Sequence, residues 1–160
     1  MPDRTTELND AIDRYAAGPV LLRAAIGDLS ASQVRIAAAP GRWSVLQVVC
    51  HLSDFEIVYA DRMKRVVAED RPTMFGGNPD QFASALAYDQ RDLEEELRVI
   101  DAIRRQVTRF LRTLDSAAFA RVGVHSDDGP LTLAVLLKRI AGHVPHHAEF
   151  ILQKRPNLNS

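Results

Sequence analysis

Apolar residues recur along this chain at the period of a helix, four times over, and no stretch shows the alternation of a half-buried strand. The first run reads Leu8, Ile12, Tyr15, Pro19, Leu22, Ile26 and Leu29, with steps of 4-3-4-3-4-3, a single narrow seam. Pro19 lies on that seam and has no N–H for the Tyr15 carbonyl, so a kink is expected there. The period continues across it, and the helix is read as unbroken. Residues 30–43 then connect, with Ser30 and Gln33 in capping-box form opening one short helical turn before Ala39-Pro40-Gly41 stops it. A second capping box, Ser44 with Gln47, opens the next helix, whose stripe is Val45, Val48, Val49, Leu52, Phe55, Tyr59, Met63 and Val66, ending near Glu69. Residues 70–79 form a loop centred on Met74 and Phe75. Asn78-Pro79-Asp80-Gln81 starts a third helix, which Leu86, Leu93, Leu97, Ile100, Val107, Leu111 and Leu114 carry to about residue 114. Residues 115–131 connect again, turning at Asp127-Asp128-Gly129-Pro130. Thr132 caps a fourth helix with the stripe Leu133, Leu136, Leu137, Ile140, Val144, His147 and Ile151, and Arg155-Pro156 ends it.

Four amphipathic helices of this length hide their stripes only against one another, so the expected architecture is all-α, a four-helix bundle in one domain over residues 1–160. With 46% hydrophobic and 26% charged residues the composition is that of a soluble globular chain. The net charge of −1 lacks the basic excess of a nucleic-acid binder. A single cysteine, Cys50, excludes an intrachain disulfide and a Cys-only zinc site. No apolar run approaches the roughly 20 residues that span a bilayer, and MPDRTTELND has no apolar signal core. The expectation is a cytoplasmic protein with neither nucleic acid nor membrane as partner.

The chemistry concentrates in five histidines: His51, His125, His143, His146 and His147. His143 and His147 are one turn apart, about 40° around the helix axis and roughly 6 Å along it. That is the spacing at which two imidazoles on one helix grip one metal ion. His147 occupies a stripe position where Leu or Ile is expected, and His51 lies beside the stripe of the second helix, so the three can meet across the bundle interior. Three neutral imidazoles with a water make an open, catalytic type of site. A lone histidine on an apolar face is more often a hydrogen-bonded core residue; it is the combination of His51 with the one-turn pair that points to a metal. His146 diverges by about 100° and flanks the site or reaches solvent. His125 falls in a loop and is read as solvent-exposed.

Neither zinc-protease signature is present, because position 144 is Val and position 146 is His where glutamate would be needed. A base must come from elsewhere. Asp54, three residues after His51, has three open readings: it orients or deprotonates a water, it accepts from a ligand histidine, or it makes a surface salt bridge with a neighbouring helix. Pro145 frees the Ala141 carbonyl and is expected to bend the helix between the two histidines. Cys50 is read as buried and inert. There is no phosphate-binding glycine loop and no serine nucleophile elbow.

The segment WSVLQVVCHLSDFE, followed near residue 142 by GHVPHHAEFI, resembles the DinB-like (damage-inducible protein) superfamily over nearly the whole chain. The resemblance implies a bundle running up-down-down-up, with long connections after helices two and three, and a divalent metal held by three histidines. Carried over by residue, those are His51, His143 and His147. It also implies thiol-dependent S-transferases or isomerases using low-molecular-weight thiols such as bacillithiol or mycothiol, or hydrolases, often as homodimers. The family usually has Gln three residues after the last ligand histidine; here it is Phe150.

Two functions follow as expectations. The first is an enzyme dependent on Zn²⁺ or Ni²⁺, which three imidazoles suit equally, acting on a small-molecule substrate. It either activates a water for hydrolysis or binds a thiol cosubstrate as thiolate. In it Asp54 is the candidate catalytic group, and Met74 and Phe75 are candidate pocket walls. The second is a non-catalytic metal-binding or stress-associated dimerisation module.

Overall fold

The computed structural model describes residues 4–158. Four long helices form the bundle: α1 (Arg4–Ile26), α2 (Val45–Ala68), α4 (Leu93–Leu111) and α5 (Leu133–Lys154), with a short α3 (Pro79–Ala85) between the second and the third. The predicted starts are those observed, because each is fixed by a local bond. Ser44 Oγ accepts from the Gln47 N–H at 3.2 Å while Gln47 Oε1 accepts from the Ser44 N–H at 2.8 Å. Asn78 caps α3 and Thr132 caps α5 one-sidedly, each side chain accepting from backbone N–H groups of the first turn.

Hydrogen bonds between helix ends fix the topology. Arg155, just past α5, donates to the carbonyls of Ala25 and Ile26 at the end of α1, so α1 and α5 are parallel. Lys154 donates to the Trp43 carbonyl ahead of α2, and Arg23 near the end of α1 pairs with Glu94 at the start of α4. Thus α2 and α4 both run against α1 and α5, and the bundle is up-down-down-up. Helix α2 packs on α4 and α5, and α1 packs on the same two.

Two expectations needed correction. The third helix is not continuous from Asn78 to 114. It stops at Ala85, Ala87 takes a left-handed conformation (φ 48°), Tyr88–Gln90 form a 3-10 turn, and Asp92 caps α4 afresh. The cause is tertiary: Tyr88 is buried against Leu46 and Cys50, and its hydroxyl donates to Asp54 at 2.8 Å. The connection after α4 is not free of strands. β2 (Val122–His125) and β3 (Gly129–Thr132) form an antiparallel hairpin, and β1 (Thr73–Met74) pairs parallel to β2. Gly123 lets this sheet sit close: a Cβ there would meet Val66 Cγ2 at 2.8 Å and Met74 Cε at 2.9 Å.

Two apolar clusters fill the bundle. One gathers Ile12, Met63, Val107, Leu136 and Ile140; the other gathers Leu22, Val49, Leu52, Ile100, Val144 and Ile151. Helix α1 runs unbroken through Pro19. The Tyr15 carbonyl that Pro19 leaves without a helical donor accepts instead from Arg104 Nη1 at 2.8 Å. Gly18 makes room for that guanidinium, since a Cβ there would lie 2.0 Å from Nη1. Arg104 also donates to Glu56 Oε1 at 2.5 and 2.7 Å and to the Ile140 carbonyl at 3.0 Å, and Tyr15 donates to Glu56 Oε2 at 2.9 Å. One buried ion pair therefore ties all four long helices together.

Candidate metal centre

Because α2 and α5 are antiparallel neighbours, His51 meets the one-turn pair on α5. One ring nitrogen from each of His51, His143 and His147 lies within 4.8 Å of the other two. The Nε2 atoms of His51 and His143 face each other at 2.9 Å, so at most one of them carries a proton. The three rings stand edge to face, with centroids 4.8–5.0 Å apart. Trp43 and Phe55 close on His51 with ring centroids at 5.2 and 4.7 Å.

This enclosure decides the charge state. Burial, the largest cause in each case, pushes His51 and His147 down to about 4 and His143 down to about 2. Asp54 and Asp80 pull His51 back up, while the neighbouring imidazoles push His143 and His147 lower still. At neutral pH all three are neutral, the form that coordinates a metal. The donor set is three imidazoles with no carboxylate, which fits Zn²⁺ or Ni²⁺ and disfavours Mg²⁺ or Ca²⁺. The buried Nδ1 atoms of His51 and His143 have no hydrogen-bond partner among the described residues, so aromatic packing rather than a carboxylate sets the ring orientations.

Asp54 is adjacent but engaged. Its carboxylate accepts from Tyr88 at 2.8 Å and from Arg91 Nη1 at 3.0 Å, and Arg91 in turn pairs with Glu96 at 2.8 Å. It is not among the residues that line the cleft beside the histidines. Of the three readings open in the sequence, the geometry displays a salt bridge, but a largely buried one made to Arg91 in the segment ahead of α4 and not a surface bridge to a helix. Cys50 is buried, its thiol on the Tyr88 carbonyl at 3.5 Å and its pKa pushed up to about 12 by burial, as an inert side chain should be.

A cleft of about 380 Å³ opens beside the cluster, bordered by His51 and His143 and also by Tyr59, Arg62, His125 and Arg139. His125 corrects the sequence reading: it is buried, in β2 rather than an exposed loop. Its Nδ1 accepts from the N–H groups of Asp127 and Asp128 at 3.2 and 3.3 Å, so the ring proton is on Nε2. Met74 and Phe75 do not line this cleft but wall an adjoining cavity of about 650 Å³ that shares Phe55, Arg62, Gly76 and Gly77 with it. Met74 is core, Phe75 is 75% exposed, and it is Gly76 and Gly77 that border the cleft. A strand pair this short leaves too little pattern in the sequence to mark His125 as buried. His146 is exposed, stacked edge-on between His147 and Phe150 with centroids at 5.1 and 5.6 Å.

Comparison with known proteins agrees with this geometry. The family model of the DinB superfamily matches residues 14–151. A protein of Oceanobacillus iheyensis, provisionally named a metal-dependent hydrolase, is 26% identical over 144 residues, covering 90% of this chain and 83% of that one. A Bacillus mycoides protein with the same provisional name is 28% identical over 141 residues, covering 88% and 81%. Among solved structures, YfiT from Bacillus subtilis superposes with a TM-score of 0.87 at 24% identity, covering 95% of this chain and 87% of that one. It is provisionally described as a metal-dependent hydrolase with an unusual four-helix bundle topology.

Proposed function

This chain belongs to the DinB superfamily, and from that premise we propose that it is a metal-dependent hydrolase of a small-molecule substrate. His51, His143 and His147 are the ligands of one divalent cation, Zn²⁺ or Ni²⁺. The observation that carries this reading is the convergence of three neutral, carboxylate-free imidazoles beside a cleft of small-molecule size. A cation bound there supplies Lewis acidity and brings a water's pKa towards neutrality. The chain's own residues supply the rest. Trp43 and Phe55 hold the His51 ring and exclude water from one side of it. His125, its tautomer set by two backbone N–H groups, offers its Nε2–H to a substrate oxygen in the cleft. Asp54, locked by Tyr88 and Arg91, acts on the site through its charge on His51 and not as a base. The provisional names of the relatives support the reaction type.

The test is turnover of a panel of aryl esters and amides by protein loaded with Zn²⁺ or Ni²⁺. Hydrolysis that requires metal and is lost in His147→Ala is expected. Turnover only when a low-molecular-weight thiol is added assigns thiol S-transfer instead. One equivalent of bound metal with no turnover of any kind leaves a metal-binding module and overturns the reading.

A further inference from the structure

The cleft is chemically lopsided. On α2 its lining residues are His51, Phe55, Tyr59 and Arg62, at steps of 4, 4 and 3, one face of the helix. On antiparallel α5 they are His143, Ile140 and Arg139. Along these two helices the imidazoles therefore stand towards one end and the guanidiniums towards the other, about 16 Å apart along α2 and about 6 Å apart along α5, measured between backbones, while His125 borders the cleft from β2.

Arg62 is the unexplained member. It is 6% exposed, and a guanidinium keeps its charge at any physiological pH. Buried charges are ordinarily paired. Arg104, the other buried arginine among the described residues, is paired with Glu56. Arg62 has no carboxylate within ion-pair distance among the described residues. Its protein partners are the Phe75 carbonyl, which accepts from Nη2, and Tyr59, whose hydroxyl oxygen accepts from it and whose ring centroid lies 5.0 Å from the guanidinium carbon. These leave most of its five N–H donors uncommitted. The two carboxylates at the cleft form no ion pair with it, although Asp128 acts on it through its charge. Asp128 is exposed and taken by Arg139 at 2.5 Å, and Asp127 is exposed and accepts from the Ser126 hydroxyl at 3.3 Å.

We propose that the cleft receives a substrate bearing an oxyanion, a carboxylate or a phosphate, which Arg62 binds through its guanidinium fork while the bond to be cleaved lies towards the histidines. This substrate class rests on the hydrolase reading of the same cleft. A planar fork in a poorly solvated position matches an oxyanion with two charge-assisted hydrogen bonds. Arg139, at the exposed rim, steers the anion and contributes less.

Two readouts separate this proposal from the reading beneath it. The first is calorimetric binding of glutarate and of inorganic phosphate to the chelator-treated full chain, which needs no metal. Wild type is expected to bind at least one of them. Arg62→Met is expected to weaken that binding tenfold or more, and Arg139→Gln a fewfold. Arg62→Lys keeps a cation for the Phe75 carbonyl and loses the fork, so it should melt like wild type and still bind poorly. That variant distinguishes ligand recognition from mere pinning of the loop. The second readout is kcat/KM of the metal-loaded protein for the mono-4-nitrophenyl ester of glutarate against neutral 4-nitrophenyl pentanoate. A preference of tenfold or more for the charged ester, falling to near unity in Arg62→Met, is expected. Glutarate alone binding points to a carboxylate substrate, and phosphate alone to a phosphorylated one. No binding of either, binding indifferent to Arg62, or equal use of the two esters overturns the oxyanion site. Arg62-dependent binding with neither ester hydrolysed upholds the site and overturns the hydrolase reading instead.

Discussion

Two polar clusters lie inside this bundle and obey opposite rules. In the Tyr15–Glu56–Arg104 cluster both glutamate oxygens accept, and the guanidinium reaches Glu56, the Tyr15 carbonyl and the Ile140 carbonyl. In the His51–His143–His147 cluster two nitrogens face each other and two buried Nδ1 atoms have no partner. Both sit among apolar side chains and both cost desolvation. The first is complete within the protein and serves to hold the helices in place. The second is left with ring nitrogens that converge on one another and are not all satisfied by the protein. The difference sets a self-contained polar cluster apart from an incomplete one without reference to any relative.

The contrast breaks most visibly at Arg104. Arg104→Ala strands a buried carboxylate and the carbonyl that Pro19 leaves free, so a loss of about 3–5 kcal/mol in urea unfolding is expected; a loss under about 1 kcal/mol would show the pair to be dispensable. Acid should act on the other cluster. The folded pKa values of the three histidines lie below their ordinary 6.5, so the unfolded chain binds more protons as pH falls. Stability of the chelator-treated protein is therefore full above pH 6.5 and is lost as pH drops towards 4. For the three histidines together this amounts to about 2 kcal/mol between pH 7 and pH 6. Unfolding measured across that window should show the loss, with a shallower slope in His147→Ala; a flat profile contradicts the burial argument.

Gly18→Ala probes the first cluster more gently. Its Cβ would press on Arg104 Nη1, and a cost of about 1–2 kcal/mol is expected. That cost should vanish in an Arg104→Ala background, and a cost that persists there means the glycine serves another contact. The smallest effect belongs to His147→Ala without metal. It removes no completed hydrogen bond, so its unfolding free energy at pH 7 should fall by less than about 1 kcal/mol. A loss like that of Arg104→Ala would erase the distinction between the clusters.

What the sequence revealed followed the range of the interactions. The caps at Ser44, Asn78 and Thr132 are bonds to residues two or three positions on, and all three were legible. So was the one-turn pair His143 and His147, and the bundle expectation brought His51 to it. The break before α4 was hidden because Leu86 and Leu93 are seven apart and keep helical register across it. The cause of that break, Tyr88 reaching Asp54, is 34 residues away in sequence. Arg104 and Glu56 are 48 apart, and nothing local distinguishes a buried arginine from the many on the surface. Pro19 announced a free carbonyl at Tyr15; that Arg104 would fill it depended on how the helices packed. His125 and Arg62 reach the cleft only once β1 pairs with β2 and the loop folds back on α2, again a contact between distant segments.

The central claim is that the three histidines hold one divalent cation. Elemental analysis of the purified chain beside His147→Ala, with no chelator added, tests it most directly. Near one equivalent of zinc or nickel in the wild type, lost in the variant, is the predicted result. No metal in either protein, even after dialysis against Zn²⁺ and Ni²⁺, would contradict the account and leave the cluster as an unsatisfied feature of a plain bundle.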